Sequence, residues 1–239
     1  MYSIKQRLFP INMKVYAFIF ARAGSKQIKN KNLKKINGIP LILYSLNLAK
    51  KIKIIKKIFI STDSRKISNL AKKHGAQIIQ RPKHLATNKS NELDSWKHAI
   101  NELNKKKDFF DIFLSLPCTS PLRAKTDVLN SIKKFNKKKF DMLVNITESS
   151  RNPFFNMVKK SKKNILNLAI NKKKKYFRRQ DVPKIFNLTT LAYVASPNYI
   201  LKTKNILDGK VFGNIVPQKR AIDIDSDFDL DIAKLLLKR

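Results

Sequence analysis

The chain has 239 residues, 43% of them hydrophobic, enough for one sizeable domain or a domain with a small appendage. No apolar run approaches a membrane span, and a single cysteine, Cys118, excludes an internal disulfide framework and fits a reducing cytoplasm. The net charge of +36 would suit nucleic acid or an anionic membrane, but only ten of the 52 basic residues are arginine, and the scattered lysines fit solvated helix faces and loops better than one binding surface.

Residues 1–12 read as an extension ahead of the domain, either disordered or, because Met13 follows, translated from an upstream start that the cell does not use. Val15–Ala21, preceded by Lys5, Arg7 and Lys14, resembles a signal peptide only superficially, being short and followed by a loop with chemistry of its own. It is the first of five β-branched runs, with Lys57–Ser61, Ala76–Gln80, Ile112–Leu116 and Met142–Ile146. Helices are expected between them. Pro40–Lys51 starts with Pro in its first turn, Ser64–His74 ends at Gly75, and Glu92–Asn104 and Thr126–Phe135 complete the series. This alternation predicts an α/β fold with a mostly parallel sheet, helices on both faces, and ligands at the carboxyl ends of the strands. From Thr147 to about Gln180 the pattern gives way to a lysine-rich stretch that includes Lys172–Lys175 and fits a loop, a subunit-contact arm or a flap. Leu191–Ala195 and Phe212–Val216 then read as strands and Asp227–Leu237 as a closing helix.

Five of the sixteen acidic residues occupy alternate positions near the end of the chain: Asp223, Asp225, Asp227, Asp229 and Asp231. Ala221–Asp225 reads as a short strand, which would place Asp223 and Asp225 on one face and Ile222 and Ile224 in the core. Two carboxylates so close need a cation or a shared proton, and hard oxygen ligands suit Mg²⁺. The last three aspartates have a plainer use, with Ser226 or Asp227 capping the closing helix and Asp229 and Asp231 in its first turn.

After the first strand comes Ala21-Arg22-Ala23-Gly24-Ser25-Lys26, then Lys31-Asn32. Gly24 allows close backbone approach, Ser25 and nearby amides can donate to phosphate oxygens, and Arg22, Lys26 and Lys31 supply positive charge. The pattern suits a triphosphate cradle, although it lacks the second glycine and the Gly-Lys-Ser/Thr end of a Walker loop. A basic surface turn is the plainer alternative. His74, His84 and His98 have no metal-like spacing, and Cys118 and Trp96 read as packing residues.

The stretch from Arg22 through Gly24-Ser25-Lys26 to Lys31-Asn32 closely resembles the signature loop of the acylneuraminate cytidylyltransferases, the synthetases of CMP-activated sialic-acid-like sugars. Ser61-Thr62-Asp63, Arg81-Pro82 with Leu85-Ala86, Thr119-Ser120-Pro121-Leu122-Arg123, Arg179-Gln180 with Pro183, and Ile222-Asp223-Ile224-Asp225 match the same family in order. The resemblance runs from about Val15 to Leu237. It implies a Rossmann-like nucleotidyltransferase that joins CTP to a nonulosonic acid with Mg²⁺, releases pyrophosphate, and works as a homodimer.

Carried over by resemblance, the nucleotide site comprises Arg22, Gly24, Ser25, Lys26, Asn32 and Arg81. Arg22, Lys31 and Asp225 are catalytic, Asp223 and Asp225 hold the metal, and Arg179, Gln180, Thr189 and Tyr193 meet the sugar acid. Residues 147–190 become an inserted segment for subunit contact or the sugar pocket, within a domain covering residues 13–239. No side-chain general base is evident. Departures gather around the sugar: Pro117-Cys118 replaces a Gln-Pro pair, Thr189-Thr190-Leu191-Ala192-Tyr193 replaces an Asn-Gly-Ala pattern before tyrosine, and Asn88 and Glu92 stand where an Asp and a smaller polar residue are expected. A sugar other than N-acetylneuraminate is therefore expected. Two alternatives stand beside this reading. A 3-deoxy-manno-octulosonate cytidylyltransferase is disfavoured by Lys31-Asn32 and Arg179-Gln180, and a basic nucleic-acid-binding protein is disfavoured by dispersed lysines beside a concentrated acidic site.

Overall fold

The computed structural model describes residues 13–25, 28–137, 140–171 and 176–237; the expectations for residues 1–12, Lys26 and Lys172–Lys175 lie outside the described residues. In chain order the elements are β1 (Val15–Phe20), a hairpin of β2 (Lys35–Ile36) and β3 (Ile39–Pro40), α1 (Leu41–Lys50), β4 (Ile55–Thr62), α2 (Arg65–Lys73), β5 (Gln77–Gln80), α3 (Glu92–Lys105) and β6 (Ile112–Ser115). There follow α4 (Lys125–Lys137), β7 (Met142–Glu148), β8 (Val158–Lys160), β9 (Leu166–Leu168), β10 (Phe186–Ala195), α5 (Pro197–Lys202), β11 (Val211–Ile215) and α6 (Asp227–Leu237).

Local chemistry sets many of these boundaries. Ser64 Oγ accepts from the Ile67 amide to start α2, Asn91 Oδ1 accepts from Leu93 to start α3, and Ser196 Oγ accepts from Tyr199 to start α5 with Pro197 in its first turn. Gly75, at φ +80, ends α2 in the left-handed conformation expected of a glycine stop. Pro40 is not inside its helix but ends β3 and caps α1.

One seven-stranded sheet, in the order β11-β7-β10-β6-β1-β4-β5, forms the centre. Its pairs are parallel except those of β10, which runs antiparallel to both β6 and β7. The period of two along β1 feeds two cores. Val15, Ala17 and Ile19 pack beneath α1, α2 and α4, while Tyr16 and Phe18 pack beneath α3 and α5 with Phe113 and Trp96. Full burial of each such side chain stabilises the fold by about 1.5–3 kcal/mol. A third cluster seats α6, through Leu230 and Ala233, against Ile28, Ile36, Leu41 and Ile224.

The chain winds outward from β1 to β4 and β5, then returns to lay β6 on the other side of β1. Strand order therefore reverses between β1 and β6, and open α/β sheets bind ligands in the crevice at such a point. The connection from β7 to β10 carries the small antiparallel hairpin β8–β9.

Candidate active site

The loops after β1 and β6 open into one cleft of about 310 Å³, which is also lined by Arg81 after β5, Glu92 at the start of α3, Thr190 on β10, and Asp223 and Asp225 before α6. Arg22, Gly24, Ser25, Lys31 and Asn32 form its cationic wall. Asn32 Nδ2 donates to the Arg22 carbonyl at 3.1 Å and Asp63 accepts from the Ala23 amide at 2.8 Å, so the loop is held from both sides. A Cβ added at Gly24 would meet no protein atom within 4 Å, so the backbone there is open for a ligand to approach.

Ser61-Thr62-Asp63 acts as a scaffold for this wall. Arg81, only 6% exposed, donates through Nε to Ser61 Oγ at 3.2 Å and through Nη2 to the Ser61 carbonyl at 2.9 Å, and its guanidinium lies 5.6 Å over the Phe20 ring. Thr62 Oγ1 accepts from the Ser64 amide, and Asp63 holds the cradle. On the opposite side, buried Arg123 binds the Ser120 carbonyl at 2.8 Å and the Pro117 carbonyl, fixing the turn after β6.

The expected strand over Ala221–Asp225 is absent: the segment has no ladder partner and is held by the Ile224 amide, which donates to the Thr119 carbonyl at 2.9 Å. Ile224 is fully buried, whereas Asp223 and Asp225 both line the cleft. Burial raises the Asp223 pKa; the Thr119 and Thr190 hydroxyls oppose that shift and repulsion from Asp225 adds to it. Asp223 Oδ1 is nevertheless buried without a hydrogen-bond partner. Asp225 is exposed and pairs with Lys31, whose Nζ lies 2.9 Å from Oδ1 and 2.8 Å from the Ile224 carbonyl. Further on, Ser226 and Asp229 cap α6 reciprocally, Ser226 Oγ accepting from the Asp229 amide and Asp229 Oδ2 from the Ser226 amide.

Two close carboxylates, one with an unpartnered buried oxygen, are a donor set that fits Mg²⁺. Among the described residues no group of three or more His, Cys, Asp or Glu side chains could hold a metal ion. Mg²⁺ is commonly held by one or two carboxylates together with substrate phosphates and water.

The residues expected to meet the second substrate separate. Thr189 is turned into the protein, its hydroxyl donating to the Asn145 carbonyl at 3.1 Å, and Thr190 lines the cleft instead, 2.7 Å from Ser120 Oγ. Tyr193 is buried with its ring 5.3 Å from Trp96, and burial raises its phenol pKa. Arg179 and Gln180 lie in a 3₁₀ turn on a second cavity of about 440 Å³, where Arg179 Nη2 donates to the Ser150 carbonyl at 3.2 Å.

Glu92 was not among the expected site residues. Glu92 is exposed and lines the cleft, and desolvation there raises its pKa against the favourable Trp96 indole and Arg81. The indole N–H interacts without closing a hydrogen bond of ordinary geometry. Cys118 lines the cleft with its thiol pushed up to about 12 by burial, so it stays protonated and unreactive.

This sheet order, with a cationic loop and paired carboxylates at its switch point, defines a nucleotidyltransferase of Rossmann-like fold. In fold it is similar, at TM-scores of 0.67 and 0.66 and 15% identity, to a CMP-2-keto-3-deoxy-manno-octonic acid synthetase complexed with CTP and to 4-diphosphocytidyl-2C-methyl-D-erythritol synthase from Anaerococcus prevotii, covering 95% of this chain and 98% and 99% of theirs. The family model described as Cytidylyltransferase matches residues 16–218, and the chain belongs to that family. Post-translational flagellin modification protein B of Campylobacter coli is 31% identical, and the CMP-N,N'-diacetyllegionaminic acid synthase of Campylobacter jejuni 30%, each across 92% of this chain and 93% of the relative. An N-acylneuraminate cytidylyltransferase of Escherichia coli is 27% identical across 92% of this chain and 51% of its own length.

Proposed function

We propose that the protein joins CTP to a nonulosonic acid, giving a CMP-sugar and pyrophosphate. The observation that carries this reading is the opening of the cationic loop and the Asp223–Asp225 pair into one cleft at the switch point. Arg22, Ser25 and the amides around Gly24 take the triphosphate, and Lys31 stands between them and Asp225, where it can meet charge near the α-phosphorus. Lys26 is assigned to the same cradle from its sequence position. Asn32 holds the loop, and Arg81 faces the nucleotide. Asp223 and Asp225 would hold Mg²⁺, which would supply charge neutralisation at the phosphates and acidify the attacking hydroxyl. The protein's own contribution is alignment of the sugar hydroxyl with the α-phosphorus.

The sugar acid is placed beside Thr190 and Glu92, with Tyr193 and Trp96 as the packed wall behind. Arg179 and Gln180 are left out of this site because they line a cavity of their own. A diacetamido nonulosonic acid is the proposed class of substrate. The departures from the sialic-acid pattern support it, as does the name of the 30% identical CMP-N,N'-diacetyllegionaminic acid synthase.

Purified protein incubated with CTP, Mg²⁺ and a panel of nonulosonic acids is expected to release pyrophosphate fastest with a diacetamido acid and poorly with N-acetylneuraminate. Loss of a buried hydrogen bond costs about 1–3 kcal/mol, enough for roughly a ten- to hundred-fold preference. No pyrophosphate from any acid would overturn the function, and a preference for N-acetylneuraminate would overturn the reading of the pocket alone. Within that assay Glu92→Gln is expected to raise KM for the sugar acid about ten-fold, the cost of weakening one charged hydrogen bond, and to leave KM for CTP unchanged. Equal shifts in both constants would remove Glu92 from the sugar site.

A further inference from the structure

We infer that the Arg220–Asp127 ion pair is a positioning device, which locks the segment carrying Asp223 and Asp225 onto α4 so that both carboxylates face the cleft. The inference rests on the proposed function for its meaning, but its geometry stands alone. Residues 221–225 belong to no strand, so the sheet does not fix them. Side-chain and loop contacts do so instead. Arg220 Nε and Nη2 donate to Asp127 Oδ2 and Oδ1, each at 2.8 Å, the Ile224 amide donates to Thr119, and Lys31 donates to the Ile224 carbonyl. The last two join the segment to the site's own loops. The segment is also held at its far end, where the Asp225 amide donates to Asp229 Oδ2 on α6 and Ile224 packs beneath that helix, so the Arg220 fork is the attachment that fixes its near end, to α4.

Asp127 is suited to be an anchor. It is 5% exposed, its Oδ2 also accepts from the Ala124 amide at the start of α4, and its backbone carbonyl accepts from Ser131 Oγ at 2.9 Å. Ser131 in turn bonds Asn145 on β7, whose Nδ2 donates to the Ala192 carbonyl on β10. The helical turn that carries Asp127 is therefore tied to two strands, and its carboxylate is oriented by the Ala124 amide before Arg220 reaches it. A planar guanidinium bonded to both oxygens fixes orientation as well as distance, which a lysine ammonium cannot do. Only Ala221 and Ile222 separate Arg220 from Asp223, so a rotation at the fork displaces the cleft-facing carboxylate directly.

Arg220→Ala would strand a buried carboxylate and could destabilise the whole domain, so Arg220→Lys is the informative variant. It keeps the charge and loses the fork. Backbone hydrogen exchange in peptides covering residues 221–226 is expected to quicken in Arg220→Lys and in Asp127→Asn, with β1 and β6 unchanged. The Mg²⁺ concentration for half-maximal turnover is expected to rise by about ten-fold, as when a group supporting a metal ligand is altered. Mn²⁺ binding in the presence of a non-hydrolysable CTP analogue should weaken equally. Lys105→Ala, which breaks the exposed pair with Glu102, serves as the control and should change none of these.

Unchanged exchange at 221–226, or faster exchange throughout the domain, would overturn the positioning role. Local exchange that quickens while Mg²⁺ dependence and Mn²⁺ affinity stay at wild-type values would overturn it as well. If wild-type protein turned over no sugar acid, the proposed function would fall while the exchange and Mn²⁺ measurements still judged the anchor.

Discussion

Asp223→Asn is expected to lower turnover by at least about a hundred-fold, the scale on which a single group stabilising transition-state charge usually acts, while leaving the fold intact. Asp223 is half-buried in the cleft, its Oδ1 is buried with no partner, and desolvation raises its pKa, so the ionised form is held at a cost. An isosteric amide removes the charge that would hold a cation and also removes that cost. The stability effect has a definite sign. Because the folded pKa lies above the unfolded value of about 3.9, the wild-type carboxyl contributes most below that value and loses its contribution as pH rises through the folded pKa. The thermal midpoint of Asp223→Asn relative to wild type should therefore climb between about pH 4 and pH 7, even as pyrophosphate release collapses. Retention of wild-type turnover and Mg²⁺ dependence would remove Asp223 from metal binding. A fall in the relative midpoint over that range would contradict the burial argument.

The sequence and the structure differ most where two periodicities compete. Alternation in Ile222-Asp223-Ile224-Asp225 has the form of a strand, but no neighbour pairs with it; Ile224 is drawn down by the cluster under α6, and the flanking aspartates are left towards the cleft. Both carboxylates line one cleft although the strand expected to place them there is absent. The resemblance places Thr189 at the sugar, and the structure turns it inward. The pairing of β10 with β7 shifts register between Thr189 and Tyr193, so Thr190 rather than Thr189 reaches the cleft. Glu92 stood out in the sequence only as a departure near the sugar, since an acidic residue in the first turn of a helix already has a use in the macrodipole. The parallel core was legible because β-branched runs and capped helices alternate with little interference. The antiparallel direction of β10 is a tertiary property, as is the six-residue α5, too short to show a period.

Lys31→Ala is expected to slow turnover by about 10²–10³-fold, with Lys106→Ala indistinguishable from wild type. Charge alone cannot separate the two in a chain of net charge +36. Position does. Lys106 is exposed at the end of α3, where salt screens it within about 8 Å at physiological ionic strength. The Lys31 side chain is 14% exposed, lines the cleft, and is aimed by two bonds, to the Ile224 carbonyl and to Asp225. The same contact makes the variant distinguishable from Asp223→Asn. Lys31 competes with any cation for Asp225, so removing it should not raise the Mg²⁺ concentration needed for half-maximal turnover, whereas loss of Asp223 should raise it. Rate measurements at saturating CTP across a Mg²⁺ series would separate the two patterns. Equal behaviour of Lys31→Ala and Lys106→Ala would reduce the loop after β1 to an ordinary basic turn, and a raised Mg²⁺ requirement in Lys31→Ala would mean that the lysine supports the metal site instead of sharing its carboxylate.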